Sequence, residues 1–132
     1  MSEIKYRHGD LFDYIPGFLD NHPTKNICIS HIVNNVGAFG AGFASAVRVR
    51  YPCVAEAYRN YWPWYSLGEL MIVDTDYQSH DGRVAVANLF AQDGLPSKTN
   101  QHPLNYSALQ TSLGALAEVL EETTEDWEIW MP

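Results

Sequence analysis

The run from Asn26 to Val33 constrains the fold more than any other stretch of this chain. Ile27, Cys28, Ile29, Ile32 and Val33 leave almost no polar alternation in it. Such a run predicts a central strand buried on both faces, with covering layers on each side. It ends in Asn34-Asn35, and the segment Val36-Gly37-Ala38-Phe39-Gly40-Ala41-Gly42 follows at once. Phe43 to Arg50, rich in alanine, then has the composition of a helix. Ligands in open α/β sheets bind at the carboxyl ends of strands, where such a loop lies. Glycine lets the backbone approach a ligand closely, and consecutive amides form an anion-binding nest. The following helix points its positive end at the same place. Gly40, Ala41, Gly42 and Phe43 are therefore candidates to hold a diphosphate through main-chain N–H groups. The loop lacks the Gly-Lys-Ser/Thr of a Walker loop, and glycines at 37, 40 and 42 do not make the dinucleotide fingerprint. A plain flexible connection is the competing reading.

The rest of the chain supplies the layers. Ile4 to Arg7 reads as a short first strand. Asn21-His22-Pro23-Thr24 is a turn. Val54 to Tyr61 is a further helical segment after Pro52, broken by Trp62-Pro63-Trp64. Gly68 to Asp74 and Arg83 to Phe90 are strands, joined by a hairpin-type turn at Ser79-His80-Asp81-Gly82. Leu104 to Leu120 is the clearest helix, with Leu109, Leu113, Leu116 and Leu120 at helical spacing. Trp127 to Met131 is a last short strand. The order predicts an α/β fold: one domain over residues 1–132, a mixed β-sheet flanked by helices.

The 132 residues fit one core, and 46% apolar composition excludes a disordered tail. Acidic residues outnumber basic ones 16 to 8, for a net charge of −8, which disfavours nucleic acid as a partner. No apolar run approaches the roughly 20 residues that span a bilayer. The polar start, Met1 to Asp10, does not read as a signal peptide. Cys28 and Cys53 show no pairing or metal-type spacing, and read as buried thiols of a cytoplasmic protein. His8, His22, His80 and His102 are scattered, so no metal site and no cofactor is expected.

The stretch Ile29-Ser30-His31-Ile32-Val33-Asn34-Asn35, then Gly40-Ala41-Gly42-Phe43-Ala44, resembles the first ligand loop of macrodomains. The resemblance is to the branch holding ADP-ribose 1''-phosphate phosphatases and lysine-dependent ADP-ribosyl hydrolases. Further motifs agree in order along nearly the whole chain: Gly9-Asp10-Leu11-Phe12, Tyr51-Pro52, Leu67-Gly68-Glu69, Asn88-Leu89-Phe90-Ala91-Gln92 and Leu104-Asn105-Tyr106-Ser107-Ala108-Leu109. The resemblance implies ADP-ribose or a derivative as ligand, with Asp10 and Leu11 at the adenine. It places Asn34 near the distal ribose and Gly40 to Phe43 at the diphosphate and ribose; Asn35, Phe39 and Gln92 are further candidate ligand contacts, with an ordinary loop as the competing reading of Gln92. Two departures stand out. The branch's nucleophilic lysine has no counterpart in Ala91-Gln92-Asp93. The family continues from a strand ending in Met-Pro to a second phosphate loop, whereas this sequence stops at Met131-Pro132, so a C-terminally truncated site is expected.

His31 and Asn34 are the candidate catalytic residues. His31 is suited to acid, base or phosphate contact; a hydrogen-bonded core histidine is the equal alternative. Ser30 beside it makes no triad, because adjacent strand residues face opposite ways. Asn34-Asn35 alternatively close the strand as turn residues, and Asp10 alternatively caps the segment after it. Trp62, Trp64 and Tyr65 read as core or a packing lid, with a binding surface as the second choice. Glu118, Glu121, Glu122, Glu125 and Asp126 read as a solvated acidic end. Three functions fit: a hydrolase acting at the distal ribose of ADP-ribose, a binding module without turnover, and a scaffold that has lost its ligand.

Overall fold

A computed structural model describes residues 4–77 and 82–132. A 3-10 turn, Leu11–Tyr14, leads into helix α1 (Ile15–Asn21). Strand β1 (Lys25–Asn34) follows, then α2 (Phe43–Arg50), α3 (Pro52–Asn60), β2 (Leu70–Asp74), β3 (Val84–Gln92), α4 (Tyr106–Glu122) and β4 (Asp126–Trp130). The sheet order is β2-β3-β1-β4. β1 runs parallel to both β3 and β4, while β2 pairs antiparallel with β3. β1 and β3 thus occupy the centre, as their unbroken apolar runs require.

Alternate residues of these strands serve two separate cores. Ile27, Ile29 and Val33 of β1, with Val84, Val86 and Phe90 of β3, pack under α1, α2 and α3. Cys28, Ala87 and Leu89 face the other way, against Leu116 of α4. Leu109, Leu113 and Leu120 join this second core, so the helical spacing in α4 does what the sequence predicts. Asn105 caps α4, its side chain accepting from the Ala108 amide at 2.9 Å.

The sequence expectations need three corrections. Ile4 to Arg7 forms no strand; Ile4 and Tyr6 are 76% and 84% exposed and pair with nothing among the described residues. A four-residue alternation is too short to hold a strand without a ladder partner. Helix α1 lies where only a turn at its end was expected. Phe12, Ile15 and Leu19 bury one face of that segment, with Pro16 in its first turn. Glu125 is not simply solvated: it accepts from Arg83 at 2.7 Å and from Asn26, tying α4's end to the sheet. The turn expected at Ser79 to Gly82 falls mostly outside the described residues. No helix among the described residues is long and apolar enough to cross a membrane.

Candidate functional site

Strand β1 ends in a loop that it organises itself. Asn34 is buried, and its Oδ1 accepts from the amides of Val36 (3.0 Å) and Ala38 (3.2 Å) and from the Tyr58 hydroxyl (2.8 Å). Its Nδ2 donates to the Ala38 carbonyl at 2.6 Å. Tyr58, from the middle of α3, also reaches the Asn34 carbonyl (2.9 Å) and accepts from the Gly37 amide (3.1 Å). Burial pushes the Tyr58 phenol up to about 12, so it stays neutral and able to donate. Asn34, expected as a catalytic residue, has its polar atoms spent on shaping the loop. Asn35 ties the loop to the end of β3, donating to Asp93 (3.0 Å) and accepting from the Gly94 amide (2.9 Å). Gln92 turns its side chain onto the Gly94 carbonyl at 3.0 Å.

The loop then rises to the start of α2. Gly42 is the cap of that helix, with φ 61° and ψ −142°, a conformation that favours glycine. A Cβ built there meets nothing within 4 Å, so the space above it is open. Among the described residues, the amides of Gly40, Ala41, Gly42 and Phe43 have no protein acceptor. Free N–H groups at a helix start are what an anion needs. The Arg48 guanidinium reaches back over the same loop, 3.9 Å from the Cβ position of Gly40. Helical side chains lean toward the N-terminus, which lets a residue in the second turn do this. Sequence reading passed over Arg48 because it sits outside the loop.

An aromatic cluster supports the loop from below. Phe39, expected at the ligand, is buried instead, its ring edge-on to His31 at 5.6 Å and tilted on Tyr58 at 4.9 Å. The Phe43 ring stacks flat on Phe12 at 5.5 Å. That stack joins the segment that follows Asp10 and Leu11 to the start of α2. Asp10 caps the turn after it, accepting from the Phe12 amide at 3.0 Å, and remains exposed.

His31 is 2% exposed. Its Nε2 lies 2.6 Å from Asn88 Oδ1, whose amide nitrogen faces Met71 Sδ at 3.6 Å. With Nε2 donating, Nδ1 is a buried acceptor without a hydrogen-bond partner. Burial pulls the imidazole down to about 4, against a smaller upward pull from Asn88. The ring is therefore neutral at pH 7, and it has the burial of the core alternative. Cys28 is inert by the same physics, its thiol pushed up to about 12. Among the described residues, no group of three His, Cys, Asp or Glu side chains is placed to hold a metal ion.

On the other side of the loop lies a cleft of about 310 Å³, lined by Val36, Gly37, Arg59, Trp62 and Tyr65. Trp62 and Trp64 are 58% and 71% exposed, so the expected packing lid is an open aromatic surface. The turn after α3 carries both indoles away from the sheet, and only Tyr65 packs inward, stacked on Tyr58 at 4.7 Å.

The chain is a mixed sheet with helices on both faces and a free-amide loop at the carboxyl end of its central strand, the position where open α/β sheets bind ligands. The chain has the macrodomain fold. It is similar to a macrodomain protein from Streptomyces coelicolor, with 28% identity and a TM-score of 0.66 over 81% of this chain and 67% of that one. The macrodomain of Mycobacterium tuberculosis DarG matches at 23% identity and TM-score 0.64, over 92% of this chain and 70% of that one. Thermosipho africanus DarTG, solved in complex with ADP-ribose, matches at 12% identity and TM-score 0.57, over 80% of this chain and 38% of that one. These last two speak for the fold alone. No family model and no curated protein matches the sequence.

Proposed function

We propose that this chain binds ADP-ribose or a close derivative. The diphosphate sits on the amides of Gly40, Ala41, Gly42 and Phe43, with Arg48 contributing charge from the side. The adenine lies toward Asp10 and Leu11, whose segment the Phe12–Phe43 stack joins to the start of α2. The distal ribose lies at the Asn35 and Gln92 end, where β1 and β3 finish together. One observation carries this reading: among the described residues the amides of Gly40 to Phe43 have no acceptor, with open space above Gly42. The net charge of −8 makes such a local anion site stand out against a repelling background. In this reading His31 and Asn34 are positioning residues that hold the loop from below, because both are buried and engaged.

Hydrolysis at the distal ribose, of ADP-ribose 1''-phosphate or an ADP-ribosyl adduct, is the second reading. It is favoured by Asp93, an exposed carboxylate at the same sheet end that Asn35 orients at 3.0 Å. Such a group can position or deprotonate a water. Calorimetry with ADP-ribose tests the first reading, and saturable binding tighter than that of AMP is expected. Phosphate release from the 1''-phosphate, lost in Asp93→Asn with binding retained, is the outcome that the second requires. Absence of ADP-ribose binding at millimolar concentration sinks both.

A further inference from the structure

The cleft beside Trp62 is separate from the free amides of the Gly40–Phe43 loop. Its walls are the Trp62 and Tyr65 rings, 5.6 Å apart between centroids and inclined at 58°. Its floor is the backbone at Gly37. Gly37 has φ 84°, and a Cβ there would stand 3.4 Å from Trp62 Cε3. A glycine therefore keeps the indole close to the loop without strain in the backbone. Trp62 remains more than half exposed, and an indole in that state is an uncovered stacking surface.

The polar lining is one-sided. The Val36 amide is taken by Asn34 and the Gly37 amide by Tyr58. Arg59 lines the cleft and has no carboxylate partner among the described residues. Two π faces alone would suit a cation, as in an aromatic cage. A fixed positive charge in the lining reverses that preference. Arg59 repels a cation, pairs with a carboxylate or phosphate, and itself stacks on planar groups. A volume of about 310 Å³ has room for one or two fused rings with an anionic substituent, and this lies at the low end for ligand sites.

We propose that this cleft is a second binding site and that it takes a planar aromatic ring bearing a carboxylate or phosphate. The ring lies against Trp62 and Tyr65, and the anion meets Arg59. Neither contact uses the Gly40–Phe43 amides, so this site stands whether or not ADP-ribose binds at the loop.

Calorimetry and saturation-transfer NMR on the full chain test it with four probes: indole-3-carboxylate, AMP, UMP and choline. Each is measured on the wild type and on Gly42→Val, which blocks the loop and spares the cleft. Indole-3-carboxylate or UMP is expected to bind both proteins with equal affinity, and AMP to retain binding in Gly42→Val. Binding by the carboxylate alone assigns an aromatic acid; binding by the nucleotides alone assigns a base with its phosphate. Trp62→Ala and Arg59→Gln, both exposed and away from the core, should each weaken that binding at least tenfold, with Arg59→Lys recovering part of it. Circular dichroism of the variants checks that they remain folded. No binding by any anionic probe at millimolar concentration overturns the proposal. So does affinity unchanged in both variants, or choline binding more tightly than the anions. ADP-ribose failing to bind while the aromatic anion binds removes the loop reading and leaves the cleft standing.

Discussion

His31 and Asn88 face each other at one register position of the two central parallel strands, with Nε2 to Oδ1 at 2.6 Å. Two polar residues therefore sit in the middle of an otherwise apolar layer, under the loop that carries the free amides. The pair fixes the imidazole tautomer and its orientation, and Phe39 and Phe43 pack on the oriented ring. The strand so specifies the loop above it through a histidine that stays uncharged.

That burial has a pH consequence. The folded-state value of His31 lies near 4, below the ordinary value of 6.5, so the unfolded chain takes up the proton first. The resulting stability is fully present above pH 6.5 and is lost as pH falls from there toward 4. At most, about 3 kcal/mol is at stake. Denaturant midpoints from pH 7.5 to 4 should fall more steeply in the wild type than in His31→Gln. Parallel slopes would mean that the imidazole is not held neutral.

Gly42→Ala should cost roughly 1–3 kcal/mol through backbone strain, since φ is 61° and no neighbour is struck. ADP-ribose affinity should drop as well, because a Cβ enters the open space over the amides. Urea unfolding and calorimetry read the two effects separately. Unchanged affinity with reduced stability would make the loop a connector only.

Arg48→Ala should leave stability within about 0.5 kcal/mol, as it is an exposed residue without an ion-pair partner among the described residues. ADP-ribose binding should weaken roughly tenfold, and its salt dependence should flatten. Equal salt slopes in mutant and wild type would remove Arg48 from the site.

Gly82 and Gly114 should respond to alanine in opposite directions. A Cβ at Gly82 would lie 2.4 Å from the Lys25 carbonyl and 2.9 Å from Leu19 Cδ2, so β1 or α1 must shift. Gly114 is exposed inside α4 with open space around it, and alanine there should add about 0.5–1 kcal/mol. Melting temperatures of the two variants provide the check, and a stable Gly82→Ala would contradict the close approach.

The central strands and α4 were legible because their patterns are long. β1 and β3 carry apolar runs that only a doubly covered sheet accommodates, and α4 repeats leucine at helical spacing over about three turns. The loop was legible from its glycines and its place after β1. What the sequence hid was the direction of side chains. Phe39 lies between two glycine-rich turns and looked accessible, yet it folds under the loop onto Tyr58. Asn34 looked free for a ligand, but a neighbouring phenol from α3, 24 residues away, completes its hydrogen bonds. Arg48 and Trp62 were misjudged for the converse reason: helix and turn geometry bring them to the rim from outside any motif. α1 escaped because its apolar positions are few and interrupted by Pro16 and Gly17.

The placement of β1 and β3 at the middle of a four-strand sheet also bears on how the molecule opens. Amides in a central parallel pair exchange with solvent only through near-global unfolding, whereas edge strands and loops exchange through local fluctuations. The loop hangs from this slowly exchanging pair: the amides of Asn35 to Ala38 are still bonded, while those of Gly40 to Phe43 lack acceptors among the described residues. Deuterium uptake should therefore rise sharply beyond Ala38, where the hydrogen-bonded amides give way to the free ones. A ligand that engages residues 40–43 would push that boundary forward along the chain, a footprint readable residue by residue without any assay of turnover.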